Sequence, residues 1–261
     1  MICHRMPIVL PHFDDRLRKA VAHYWRTLAA QSSKQKAGMD HGRRSPFTGG
    51  KQIDGFCELV DWGLRENGLD EASIYVRSDR DLPGFFRPTM EWDMLVVHEG
   101  RTIAAIEFTS QRLPPLASGT NTRIEETIGM ASDVWTAFRE GAYRAPRKRP
   151  WLGWVMLVED RAESGAYGRR YEQILHKFTH ERLFDSAALL ASAGKGGAQG
   201  AFIEPAENLS MKRFLASLLG RVGGYLAEVK HFPNTSTGNS TVPSRKRRPN
   251  SNGTRPAGAT I

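Results

Sequence analysis

The stretch Asp93-Met-Leu-Val-Val-His-Glu-Gly-Arg-Thr-Ile-Ala-Ala-Ile-Glu107-Phe-Thr109 decides how this chain is read. Met94 to Val97 and Thr102 to Phe108 are apolar, β-prone runs. Glu99-Gly100-Arg101 between them has the length and the glycine of a hairpin connection. Taken as a three-residue loop, it pairs His98 with Thr102 and, counting outward, Asp93 with Glu107. Residues directly opposed in an antiparallel pair share a face, with Cβ atoms about 5 Å apart. Two carboxylates that close repel unless a cation sits between them. A hard ion such as Mg²⁺ binds through one or two carboxylates, with waters and phosphate oxygens completing its shell. The run Ile103 to Ile106 suits an interior strand, so Glu107 at its end needs a partner. A pair of strand-end carboxylates facing solvent is the other reading, and the residues alone leave it open.

Working outward, the spacing predicts helices on both sides of this hairpin. Phe13, Leu17, Val21, Tyr24 and Leu28 recur at three- and four-residue steps, which gives a helix over 13–30. Gln31 to Gly50 reads as a polar, glycine-rich loop. A second helix covers 53–67, with Gly68 as its C′ residue. Ser73 to Val76 is a short strand, and Leu82-Pro83-Gly84 reads as a break. Beyond the hairpin come a helix over 123–140, a basic loop over 144–149, and a strand, Leu152 to Val158, apolar enough to be covered on both faces. A helix over 167–184, an apolar run at 187–190 and a last amphipathic helix over 210–229 follow. This order predicts the α/β class, with a mixed central sheet flanked by helices. The domains expected are an N-terminal extension over 1–12, one folded domain over 13–232 and a disordered tail over 233–261, poor in apolar residues.

The 261 residues carry Lys+Arg 37 against Asp+Glu 28, a net charge of +9, which suits a polyanionic partner. The tail holds five basic residues (Arg245, Lys246, Arg247, Arg248, Arg255) and no acidic ones, so the remainder carries only +4. Two cysteines, Cys3 and Cys57, exclude a disulfide framework and suit a reducing interior. No apolar run approaches the roughly 20 residues of a membrane span. These features lead to the expectation of a cytoplasmic protein. Gly49-Gly50-Lys51 lacks the spacing of a phosphate-binding P-loop, and His176 with His180 lacks a third metal ligand.

Several linked segments carry a family resemblance. They include Thr48-Gly-Gly-Lys51-Gln-Ile-Asp54-Gly-Phe56, Leu82-Pro-Gly-Phe-Phe-Arg87-Pro-Thr89, Trp92-Asp93 and Glu107 with Ser110-Gln111. Further along come Arg123 with Glu125-Glu126, Asp133 with Trp135-Thr136-Ala137, and Gly153-Trp154 through Met156-Leu-Val-Glu-Asp160. In this order they resemble the XhoI family of type II restriction endonucleases, within the PD-(D/E)xK nucleases. The resemblance implies a restriction-endonuclease-like core and a homodimer. It implies a palindromic double-stranded DNA site, 5′-CTCGAG, cut in both strands with Mg²⁺, and pairing with a cognate DNA methyltransferase. Carried over by position, Asp93 and Glu107 are metal ligands, with the main-chain carbonyl of Phe108 as a third. Asp54 is a further acidic catalytic candidate. Gln111, Arg112, Asn121 and Arg123 are the candidates for reading DNA. The family pattern has lysine where this chain has Thr109. Lys51, beside Asp54, is the first candidate to supply the missing cation, ahead of Arg87, Arg112 and Arg123. A catalytically weakened or inactive DNA-binding homologue is the alternative that Thr109 raises.

Overall fold

The computed structural model of the chain describes residues 7–36, 51–76, 79–111, 116–143, 148–159, 165–192 and 197–231. The expected basic tail, Cys3, Arg112, Arg144 and Arg147 lie outside them. Helix α1 (Phe13–Lys36) and, after a 3₁₀ turn at Lys51–Ile53, helix α2 (Asp54–Glu66) precede the strands β1 (Ser73–Tyr75), β2 (Asp81–Pro83), β3 (Thr89–Glu91), β4 (Met94–His98) and β5 (Arg101–Gln111). Then follow α3 (Leu116–Arg139), β6 (Trp151–Glu159), α4 (Gly165–His180), β7 (Ser186–Ser192) and α5 (Met211–His231).

Five strands form one sheet in the order β1-β4-β5-β6-β7, and β2 pairs with β3 in a separate two-stranded sheet. β1, β4 and β5 are antiparallel, whereas β5, β6 and β7 run parallel through the α3 and α4 crossovers. Every residue of β6 is buried, as its continuous apolar run predicts for a strand covered on both faces. One core layer joins α1, α2 and α5 to Met94, Val96, Ala104 and Ile106. The other joins Leu95, Ala105, Trp154 and Met156 to α3 and α4. This is the expected mixed sheet flanked by helices. Among the described residues no helix is long and apolar enough to cross a membrane.

The hairpin differs from its sequence reading in a way that matters. The connection is a two-residue turn: His98 pairs with Arg101, and Glu99 and Gly100 take φ of 48° and 72°. Both central residues in the left-handed region make this the turn that matches strand twist. Val97 then pairs with Thr102 but Val96 with Ala104, so Ile103 is the extra residue of a β-bulge. The bulge restores the one-residue offset that the shorter turn removes. Met94 therefore faces Ile106, and one more step along the ladder brings Asp93 opposite Glu107.

Other boundaries move. α1 runs through the start of the expected loop at Gln31, to Lys36. α3 begins at Leu116 rather than Arg123, directly after Pro114-Pro115, residues suited to a helix entrance. α4 stops at His180, four residues early, because Arg182 turns left-handed (φ 56°) and the Arg182 and Leu183 amides donate back to Thr179 and Phe178. Gly68 does cap α2 with φ 66°, the amides of Gly68 and Leu69 donating to Arg65 and Leu64.

Leu82-Pro83, expected to break the chain, instead forms β2, paired with Met90 and Thr89 of β3. The loop between them is tied to α3. The carboxylate of Asp133, 1% exposed, accepts the amides of Phe85 (2.6 Å) and Phe86 (2.8 Å) and the Nε–H of Arg87 (2.9 Å). Burial alone would raise the Asp133 pKa. The Phe86 amide, the Arg87 guanidinium and the Phe85 amide outweigh it and hold the carboxyl below its ordinary value. A Cβ on Gly84 would meet the Arg87 carbonyl oxygen at 2.4 Å and Asp133 Oδ2 at 2.8 Å, so glycine is required here. Asp133→Ala should cost about 2 kcal/mol by orphaning these donors, read as a lower urea midpoint with unchanged m-value. Gly84→Ala should destabilise through the same loop, and wild-type stability in both variants would contradict the clamp.

Candidate active site

β4 starts opposite Ile106, but β5 continues five residues further, to Gln111. The overhanging part of β5 opens onto a cavity of about 180 Å³ lined by Asp93, Glu107, Phe108, Thr109, Ser110 and Arg123, among others. Asp93 and Glu107 both line this cavity, whose other walls include Gln52, Ile53 and Phe56 at the head of α2 and Val155 and Leu157 of β6, so the two acids meet at one site.

The pair is closely held. Asp93 Oδ2 accepts the Phe108 amide at 2.9 Å, occupying a donor of β5 that has lost its strand partner. The Asp93 amide in turn bonds the Glu107 carboxylate. Burial raises the pKa of Asp93; the Phe108 amide and Arg80 oppose the rise, and Glu91 adds to it. Burial, followed by the charge of Asp93, pushes Glu107 well above the usual carboxylate range. Both acids therefore resist ionisation until something cationic joins them.

The chemistry of this donor set fits a hard divalent ion that keeps most of its water. Among the described residues no cluster of three or more His, Cys, Asp or Glu side chains is arranged to hold a metal. Two carboxylates and a nearby main-chain carbonyl are the small donor set with which Mg²⁺ is commonly bound, the rest coming from water and phosphate. A zinc-like site would need more protein ligands.

The remaining predicted residues are placed unequally. Phe108 lines the cavity and packs its ring on Phe56 at 5.8 Å. Asp54 is the first residue of α2; its charge and that of Asp93 both reach Cys57, whose buried thiol is pushed up to about 12. Lys51 opens the preceding 3₁₀ turn, exposed, and its carbonyl accepts from the His23 Nε2 at 2.8 Å. Its neighbours Gln52 and Ile53 line the cavity. Thr109 lines it too, with its hydroxyl oxygen accepting the Trp154 indole N–H at 2.9 Å. Arg123 reaches the cavity from α3. Gln111 is buried and accepts from Tyr171 at 3.4 Å, and Asn121 is exposed on α3 and accepts from Arg170 at 2.6 Å. Arg87 is engaged by Asp133. In the basic loop, Lys148 pairs with Glu228 and Arg149 with Asp185 at 2.8 Å.

One cation was missed by the sequence reading. Arg80 donates to the Asp93 carbonyl at 3.3 Å, lies 3.8 Å from Asp93 Oδ1 and pairs with Glu91. Its signal was hidden because Leu82-Pro83-Gly84 reads as a break; only the β2–β3 pairing of Asp81 with Glu91 brings it to the site.

Comparison with known proteins places the chain. The family model described as restriction endonuclease XhoI matches residues 32–167. The type II restriction enzyme BstVI of Geobacillus stearothermophilus is 38% identical over 214 residues, covering 73% of this chain and 95% of that enzyme. The type II restriction enzyme AbrI of Azospirillum brasilense is 43% identical over 162 residues, 61% of this chain and 72% of that enzyme. The type II restriction enzyme XhoI of Xanthomonas vasicola is 36% identical over 159 residues, 59% of this chain and 63% of that enzyme. No solved structure matches the chain.

The raised carboxylates have a measurable consequence without metal. The stability tied to their protonated forms is fully present below the ordinary carboxylate pKa and is lost as pH rises through the raised values. Glu107→Gln removes this loss. In chelator at pH 8 its thermal midpoint should exceed wild type by about 2–4 °C for each kcal/mol of repulsion relieved, and the gain should shrink as pH is lowered. A midpoint at pH 8 equal to or below wild type would contradict the electrostatic account.

Proposed function

Since the chain belongs to the XhoI family of type II restriction endonucleases, site-specific deoxyribonucleases acting on DNA, we propose that it cuts both strands of a palindromic duplex resembling 5′-CTCGAG at the Asp93–Glu107 pair. The observation that carries this reading is the convergence of two half-buried carboxylates, Asp93 just before β4 and Glu107 on β5, on one cavity at the end of β5. Residues 13–232 act as one nuclease domain of the PD-(D/E)xK type, working as a homodimer in the cytoplasm alongside a cognate methyltransferase. A two-fold dimer suits a palindrome because each protomer then meets the same half-site.

Asp93 and Glu107, with the Phe108 carbonyl, are the groups that would hold Mg²⁺. Bound there, the ion would neutralise charge developing on a phosphate and lower the pKa of a water. The chain's own residues supply the positioning. The Phe108 amide fixes one Asp93 oxygen, and the Asp93 amide fixes Glu107. Asp54, at the head of α2, adds negative charge to the same neighbourhood. Arg123 lines the cavity from α3; with Gln111, Arg112 and Asn121 it makes up the candidate set for base reading, Arg and Asn or Gln being the side chains that read guanine and adenine in the major groove.

The cation normally given by lysine falls to another residue. Thr109 carries no charge, and its hydroxyl is engaged by Trp154. Arg123 lines the cavity and Arg80 touches Asp93, which favours these two over Lys51, whose side chain does not line the cavity. The weakened homologue that binds DNA without cutting it is the second reading, and Thr109 is what favours it.

Purified protein with supercoiled plasmid and Mg²⁺ should give discrete fragments whose ends map to one sequence. Asp93→Asn and Glu107→Gln should each lower the rate by about 10²–10³, the scale of losing a transition-state charge stabiliser. A gel shift without fragments would establish the second reading. In that case a gain of cleavage by Thr109→Lys would identify the missing ammonium as the defect.

A further inference from the structure

The basic residues of α1 are arranged in a way the site does not use. Arg16, Lys19, His23 and Arg26 follow one another at steps of three, four and three, which sets them in one stripe. The stripe lies beside the buried face formed by Leu17, Val21, Tyr24 and Leu28. Together with Gly55, Glu58 and Leu59 of α2 it lines a groove of about 330 Å³. Gly55 lets the helices approach: a Cβ there would meet Ala20 Cα at 2.9 Å and His23 Cβ at 3.1 Å.

Several other cations of the chain are neutralised locally. Arg65, Arg80, Arg87, Lys148, Arg149, Arg213 and Lys230 each have a carboxylate partner. Among the described residues Arg16, Lys19 and Arg26 have none. Arg16 lies over the Trp62 ring at 4.5 Å, and Arg26 donates Nε–H to the Ala22 carbonyl. Asp14 and Asp15, in the first turn, form no ion pair with the stripe, and Glu58 is the one carboxylate lining the groove. Three unneutralised cations therefore face one anion.

The groove also adjoins the cavity of the carboxylate pair. His23 bonds the carbonyl of Lys51, at the turn whose Gln52 and Ile53 line that cavity, and Tyr24, next to His23, lines it as well. Arg16 to Arg26 spans about 15 Å at 1.5 Å per residue. That is the axial length of roughly four phosphates of one strand at 3.4 Å each.

We propose that the α1–α2 groove is a track for the phosphodiester backbone of duplex DNA flanking the cut site. Arg16, Lys19 and Arg26 contact successive phosphates without reading sequence, and α3 lies towards the bases. The proposal rests on the nuclease reading and assigns it a second, separate contact surface.

The test is salt dependence of binding by the full chain in chelator, using a fluorescein-labelled 30-base-pair duplex that carries 5′-CTCGAG and one that lacks it. The variant R16Q/K19Q/R26Q should weaken both duplexes at least tenfold at low salt. Its plot of log affinity against log salt should flatten by about 0.9 for each lost contact. K19Q/R26Q, which spares the Arg16–Trp62 stack, should flatten by about two contacts' worth and guards against a folding defect. K177Q/R182Q/K212Q removes the same charge from exposed positions elsewhere and should leave the slope unchanged. An unaltered slope in both stripe variants, or an equal loss in the distal variant, would overturn the track. Failure of the wild type to cut plasmid while the stripe variants lose slope would sink the nuclease reading and leave the track standing; normal cutting with unaltered slopes would do the reverse.

Discussion

Two carboxylates brought together in a half-buried site repel, and a fold that keeps them so loses stability unless a cation joins them. Asp93 and Glu107 are in that position, with the pKa of each raised by burial. The surrounding structure makes the arrangement possible. The bulge at Ile103 sets the register, the amides of Phe108 and Asp93 orient the oxygens, and the two core layers fix the sheet on which both acids stand. Buried groups whose charged forms are disfavoured cluster where chemistry is done, and this pair lies in a cavity open to a ligand.

Much of this was legible in the sequence because it followed from periodicity. The apolar steps of α1 and the unbroken run of β6 carry their own burial signal, and the mixed sheet follows from their order. The Asp93–Glu107 alignment was reached through two departures that offset each other, a turn one residue shorter and a bulge one residue longer. Bulges leave no compositional mark in a run such as Thr102 to Ile106, so counting alone does not reveal them. Arg80 was illegible for a different reason. Its position depends on β2 pairing with β3, and Pro83-Gly84 has the composition of a break. The required glycine at position 84 reflects the Asp133 clamp from a helix 49 residues away, a contact no local pattern encodes.

The charge of the chain is likewise better understood by pairing than by sum. Lys148 and Arg149, conspicuous in the sequence, are held by Glu228 and Asp185. The cations of α1, inconspicuous there, face the α2 groove without carboxylate partners. Counting basic residues therefore points to a polyanion, and the groove that Arg16, Lys19 and Arg26 line together indicates a surface for it. That surface and the carboxylate pair meet at His23, Tyr24 and the 3₁₀ turn, so binding and chemistry share a boundary.

The central claim is that Asp93 and Glu107 jointly bind one divalent ion. Calorimetric titration of Mn²⁺ into the protein across pH tests it without relying on cleavage. The account predicts one site per chain, tighter as pH rises, with protons released on binding because the raised carboxyls must ionise, and loss of that site in both Asp93→Asn and Glu107→Gln. Retention of wild-type Mn²⁺ affinity in either variant would contradict it.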